Sequence, residues 1–168
     1  MNGAPMTSVH PEDRGYRGPQ VCSVVGITYR QLDYWARTDL VHPSVQPATG
    51  SGSQRLYSYR DLVELKVVKS LLDAGVSLQT ARKAIDYLRS HLGEDLASAS
   101  LVLDGSKSVL AFSGDQIVDL LRHGQGVLNI VPLARVVDAL DAEILALAPR
   151  DSEVSEPTTQ PAPAVQRS

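Results

Sequence analysis

Apolar residues recur at helical spacing in several stretches, and the sharpest lies early in the chain. Between Thr28 and Thr38, Leu32, Trp35 and Ala36 fall on one side of a helix, with Tyr29, Arg30, Asp33, Tyr34 and Arg37 on the other. Thr28 is placed to cap it, because its hydroxyl can accept from a free N–H two or three residues on. Ile27 is an apolar plug, and Gly26 can take the positive φ of a sharp turn between helices. Upstream, Gly18-Pro19 opens a helix reaching about Val24 that buries Val21 and Cys22. A small residue at 22, four before Gly26, suits a close crossing. Two short helices joined by a glycine-containing turn make a helix-turn-helix.

After Thr38, Pro43 blocks resumption of the helix. Residues Val45–Tyr57 read as two extended pieces flanking a Gly/Ser tip, hence a β-hairpin, with Arg55 and Tyr57 on one strand face. Ser58 caps a third helix from about Tyr59 to Ala74, closed by Gly75, with Leu62, Leu65, Val68 and Leu72 as its core stripe. Ser77 caps a fourth, in which Leu78, Ala81, Ile85, Leu88 and Leu92 repeat, with Arg82, Lys83 and Arg89 off the stripe and Gly93 ending it.

The texture then changes. Leu96–Leu103 and Ser108–Phe112 read as strands around Asp104-Gly105, followed by a helix through Gln116–His123, a strand over Gly126–Val131 and a helix from about Pro132 to Ala148. In that helix Leu133, Val137, Leu140, Ile144 and Leu147 alternate at four-and-three spacing. The stripe can pack on the unit's own sheet or pair with a second subunit. The expected division is a leader at 1–13 and a domain at 14–92, then a small α/β domain at 94–149 for dimerisation or regulation, and a Pro/Ser/Thr/Glu-rich tail at 150–168. Leader and tail are expected to be disordered. The fold class is mainly α with a small β component.

Charge sharpens this picture. The net charge of −3 hides a basic half: residues 14–91 carry 11 Lys/Arg against 6 Asp/Glu, and residues 92–168 carry 5 against 11. Polyanion binding depends on such local patches rather than on the whole-chain balance. No apolar run approaches the ~18 residues of a membrane span, and residues 1–13 hold no apolar core of a secretory signal. Cys22 is the sole cysteine, which excludes an internal disulfide and a thiolate metal cluster. A cytoplasmic, nucleoid-associated location is expected.

Catalytic chemistry has little to stand on. His10, His42, His91 and His123 are scattered without metal-ligand spacing, and no nucleophile elbow or phosphate loop is present. Asp119 and His123 lie four apart on a helix, which fits a solvated face better than a catalytic pair. No enzyme activity, metal or cofactor is expected.

Four blocks over residues 16–92 resemble the MerR-type winged-helix transcription regulators. They are Gln20-Val21-Cys22 to Gly26-Ile27-Thr28, Leu32–Arg37 through Leu40-Val41-His42-Pro43, Gln54–Tyr57 with Asp61-Leu62, and Leu72–Leu78. Two positions depart from the family pattern: Asp33 stands where the recognition helix usually carries a basic residue, and Ala36 where it is usually acidic. The family's long dimerisation helix is also replaced by the α/β unit.

The resemblance implies a homodimer on double-stranded promoter DNA with inverted half-sites, with RNA polymerase a further partner and DNA bending or twisting a route to activation. Repression by occlusion is equally allowed. Arg30 and Gln31 are chemically fit to read base edges from the amino-terminal turn of the Thr28–Thr38 helix. Tyr29, Tyr34, Arg37, Arg55 and the wing's Ser51 and Ser53 are expected on phosphates, and Tyr57 either contacts phosphate or packs beneath the wing. The alternative is a winged-helix adaptor that binds a chaperone or a sigma-type factor, with the acidic unit as contact surface.

Overall fold

The computed structural model describes residues 14–48, 54–91, 98–104, 107–117 and 128–147. The expected leader and tail, the hairpin tip and residues 92–97 lie outside them. The chain opens with a two-residue strand β1 (Tyr16–Arg17), then α1 (Gly18–Val25) and α2 (Tyr29–Arg37). Gly26 joins the helices at φ 80°, donating its N–H to Cys22 O at 2.9 Å. A side chain there would strain the left-handed backbone.

Strand β2 (Leu56–Tyr57) pairs antiparallel with β1, Tyr16 opposite Tyr57 and Arg17 opposite Leu56, while Gln46 forms a single bridge to Leu56. The expected hairpin is thus thinner than its sequence suggests, and β1 supplies the pairing that its first limb lacks. Helix α3 (Tyr59–Asp73) begins at a capping box in which Ser58 and Asp61 bond reciprocally, and α4 (Leu78–Ser90) at Ser77. Gly75, at φ 85°, turns the chain between them. His91 rather than Gly93 caps α4.

Helix α3 is the central strut. Leu62, Val63, Leu65, Val67, Val68 and Leu71 are all buried, so it shows an encircling apolar surface rather than one stripe, and Leu72 is only half-buried. A helix enclosed on most sides needs such a surface, and α1, α4 and the last helix, α5 (Leu133–Leu147), pack around it.

Strands β3 (Ser100–Asp104), β4 (Lys107–Ala111) and β5 (Leu128–Pro132) form an antiparallel sheet of order β4-β3-β5. Leu101 sits between Leu110 and Val131 on one face, and Val102 between Val109 and Ile130 on the other. Pro132 closes β5 rather than opening α5. Of the helix expected over Gln116–His123, residues 114–117 are described and helical.

The stripe that could pack on its own sheet or pair with a second subunit is covered chiefly by helices of the same protomer. Leu133, Leu140 and Ile144 are buried inside the protomer, and Val137 and Leu147 are half-buried. Helix α5 packs against α1 and α3 more than against β3, and Tyr59 Oη donates to Asp141 Oδ1 at 2.8 Å. Covering the back of α1 and α3 buries Leu133, Leu140 and Ile144 at about 1.5–3 kcal/mol each. One continuous buried cluster runs from Tyr16 to Ile144.

Candidate nucleic-acid interface

Helix α2 is held by its apolar side and by both ends. Leu32 and Trp35 are buried, and Thr28 and Gln31 form a capping box: Gln31 N–H donates to Thr28 Oγ1 at 3.2 Å and Thr28 N–H to Gln31 Oε1 at 3.0 Å. Beyond the helix, Arg82 Nη1 donates to Thr38 O at 2.7 Å and Arg89 Nη2 to Leu40 O at 2.6 Å. Arg89 also pairs with the buried Glu64, at 2.8 Å. Burial pushes the Glu64 carboxyl up, and the Arg89 guanidinium pulls it back. Two arginines of α4 therefore fix the exit of α2, a role their off-stripe positions alone do not announce.

The outer face carries Tyr29, Arg30, Tyr34 and Arg37, all exposed. Among the described residues no hydrogen bond or ion pair engages Arg30. Gln31 is less free than expected, since its Oε1 serves the cap and its amide N–H groups are left to reach outward. The signal was in the sequence: Thr28-x-x-Gln31 fits the Ser/Thr-x-x-Glu/Gln capping pattern.

Asp33 explains its own oddity. Its Oδ1 accepts from Arg55 Nη1 at 2.8 Å and its Oδ2 from Arg37 Nε at 3.0 Å. The Arg55 hydrogen bond, helped by Arg37, holds the Asp33 carboxyl below its usual range. Arg55 is largely covered, its side chain 23% exposed, whereas that of Arg37 is 73% exposed. The two arginines expected on phosphates thus share one carboxylate, leaving the trio a net charge of +1.

Tyr57 is completely buried beneath the wing, so the packed role is the one the structure gives it and direct phosphate contact is not. Its hydroxyl finds no hydrogen-bond partner among the described residues. Burial drives its ionisation up to about 12 despite the nearby Arg55 guanidinium. Ser51 and Ser53 lie outside the described residues. The wing's start is anchored instead by Asp61, whose Oδ2 accepts from Ser44 N–H at 2.8 Å, Ser44 Oγ at 2.7 Å and Ser58 N–H at 2.8 Å.

Between the amino end of α1, α2 and the wing runs a cleft of about 390 Å³, lined by Arg17, Gly18, Tyr29, Asp33 and Arg55 among others. The exposed face of α2, the wing strand and this cleft lie side by side, with Arg17, Arg37 and Arg55 along them. Among the described residues no group of three His, Cys, Asp or Glu could hold a metal ion, and no helix is long and apolar enough to cross a membrane.

Residues 16–88 match the family model described as MerR HTH family regulatory protein. The chain is 55% identical over 126 residues to an uncharacterised HTH-type transcriptional regulator of Mycobacterium tuberculosis (strain ATCC 25618 / H37Rv), covering 75% of this chain and 56% of that protein. A Mycobacterium bovis counterpart matches equally. The nodulation protein NolA of Bradyrhizobium elkanii is 27% identical over 122 residues, 67% of this chain and 54% of NolA. The chain therefore spans about half the length of the curated relatives it matches. The turn at Gly26, the capped α2, the wing strand paired through Tyr57 and these matches agree: residues 16–88 form a helix-turn-helix domain of the MerR family.

Proposed function

We propose that the chain is a DNA-binding transcription regulator that sits as a homodimer on an inverted-repeat promoter operator. The observation that carries this reading is the outer face of α2, where Arg30 stands exposed and uncommitted between Tyr29 and Tyr34 while every apolar residue of the helix is turned inward. Arg30 suits a guanine edge. Tyr29, Tyr34 and Arg37 are placed for phosphates, with the Asp33–Arg55 pair setting the angle between helix and wing. Twofold symmetry would present two such helices about one helical turn of DNA apart. The dimer contact then falls on a surface other than the α5 stripe. Bending or twisting of the bound promoter, and contact with RNA polymerase, follow from the family's mode of action and belong to the same proposal.

Fluorescence anisotropy with promoter fragments, run across a salt series, tests it. Affinity should fall linearly in log–log form with salt and drop for Arg30→Ala. Binding that ignores both would end the proposal. Sedimentation of the protein–DNA complex gives the stoichiometry, two chains per operator.

A further inference from the structure

A second cavity, of about 290 Å³, lies between α3 and the corner where β5 enters α5. Leu71, Ile130, Val136 and Ala139 give it an apolar wall, and Lys66 and Arg135 bring two cations to it. There is no carboxylate among the described residues lining it. Among the described residues no ion pair engages either cation. Lys66 Nζ donates, among the described residues, to main-chain carbonyls alone, those of Val24 at 3.4 Å and Val25 at 3.3 Å, both long for hydrogen bonds. Apolar surface beside unneutralised cations is what an amphipathic anion would complete, since a charge-assisted bond to a carboxylate is stronger than one to a neutral carbonyl.

We infer that this cavity binds a small apolar carboxylate, its chain against Leu71, Ile130 and Val136 and its carboxylate on Lys66 and Arg135. The consequence reaches the reading helix. Val24 and Val25 are the last residues of α1, and Gly26 begins the turn into α2. An anion that draws Lys66 Nζ toward itself withdraws two donors from the carbonyl end of α1. It also wedges α5 from α3 at the place where α5 covers the helix-turn-helix. Binding so coupled would alter the angle at which α2 is presented. Only this output rests on the DNA-binding reading, and the binding itself does not.

Isothermal titration of the full chain with octanoate, against octylammonium as a chain-matched cation, tests the site. Octanoate should bind once per chain, and octylammonium at least tenfold more weakly. Arg135→Gln alters an exposed side chain and so keeps the fold, yet should weaken octanoate at least tenfold. Lys66→Met should do the same, and Ala139→Leu should close the cavity to octanoate. Equal affinity for the cation, or undiminished octanoate binding by folded R135Q and A139L, overturns the site. Saturating octanoate should shift operator affinity several-fold in the native protein and not in Lys66→Met, and an equal shift in both overturns the coupling. Octanoate binding by a protein that binds no DNA would uphold the cavity and defeat the proposed function alone.

Discussion

Asp33 Oδ1 lies 2.8 Å from Arg55 Nη1, tying the middle of the reading helix to the returning strand of the wing across 22 positions of sequence. The same carboxylate holds Arg37 from within the helix. On a helix proposed to face DNA an acidic residue would repel phosphate, and here it holds two arginines instead. The clamp ties helix to wing and sets one carboxylate against two guanidinium groups.

Asp33→Asn should therefore loosen discrimination rather than abolish binding. With Arg37 and Arg55 released, affinity for non-operator DNA should rise about tenfold at low salt. The log–log salt slope should steepen by about 0.9 for each guanidinium that gains a phosphate. Anisotropy on operator and scrambled duplexes measures both, and an unchanged slope with the scrambled duplex would count against the clamp. The folded-state carboxyl of Asp33 titrates below its ordinary value of 3.8. The stability it contributes is thus complete above that value and lost as pH falls through the lowered one. Around neutral pH the clamp should give no pH dependence to DNA binding.

Arg30→Ala makes the opposite kind of change. Arg30 is exposed and free of partners among the described residues, so thermal stability should move by less than about 0.5 kcal/mol. Operator preference should fall by about 1–3 kcal/mol at the base it reads, seen as a collapse of the operator-to-scrambled Kd ratio. Arg30→Lys should recover salt-dependent affinity but not that ratio, because an ammonium lacks the two-pronged geometry.

The reading helix was legible because its determinants are local. Gly26, Thr28, Leu32 and Trp35 lie within ten consecutive residues, and periodicity reports such neighbours directly. The Asp33 anomaly was visible as a departure, but its partner was not: nothing in spacing says that Arg55 folds back onto it. The α5 stripe illustrates a different limit. Leu133, Leu140 and Ile144 reveal an apolar face without naming what covers it, and the cover proved to be α1 and α3. Strand β1, two residues long, has too short a pattern to show a period of two. Arg82 and Arg89 show in the sequence only as residues off the apolar stripe, because their acceptors, Thr38 O and Leu40 O, are main-chain atoms more than 40 positions away.

Arg89→Ala should be the most damaging change on α4. It strips the buried Glu64 of its counter-charge and leaves Leu40 O without its donor. Breaking such a buried pair costs about 3–5 kcal/mol. Denaturant unfolding should show this loss, with Glu64→Gln plus Arg89→Met milder than Arg89→Ala alone. Burial raises the Glu64 carboxyl above its ordinary 4.5. In the native protein Glu64 thus erodes stability as pH rises from that value to its raised one, since the folded state holds the proton longer. Without Arg89 this window should widen upward. A variant whose unfolding is pH-independent across mildly acid conditions would show that Arg89 does not carry the pair.

Tyr57→Phe is expected to stabilise the protein. The hydroxyl is buried without a hydrogen bond of good geometry among the described residues, with the Arg55 guanidinium near it as a weak partner at best, and a buried polar group left unsatisfied costs about 1–3 kcal/mol. Removing it while keeping the ring against Tyr16 in the β1–β2 pair should gain about 1 kcal/mol near neutral pH. The alkaline limb supplies an independent readout. Tyr57 ionises at about 12 in the fold against an ordinary 10.0. Below 10.0 both states hold the proton and nothing is lost. Between the two values the unfolded chain releases it first, so stability declines by about 2 kcal/mol as pH climbs through that window. Phenylalanine has no proton to release, so the variant's stability curve should stay flatter than the native one above pH 10. Spectrophotometric titration should likewise lose its latest-ionising tyrosine. If Tyr57→Phe instead destabilises the fold and the phenol it removes from the titration is one of ordinary pKa, the hydroxyl has a partner that satisfies it, and the packed assignment of Tyr57 must be replaced by a bonded one.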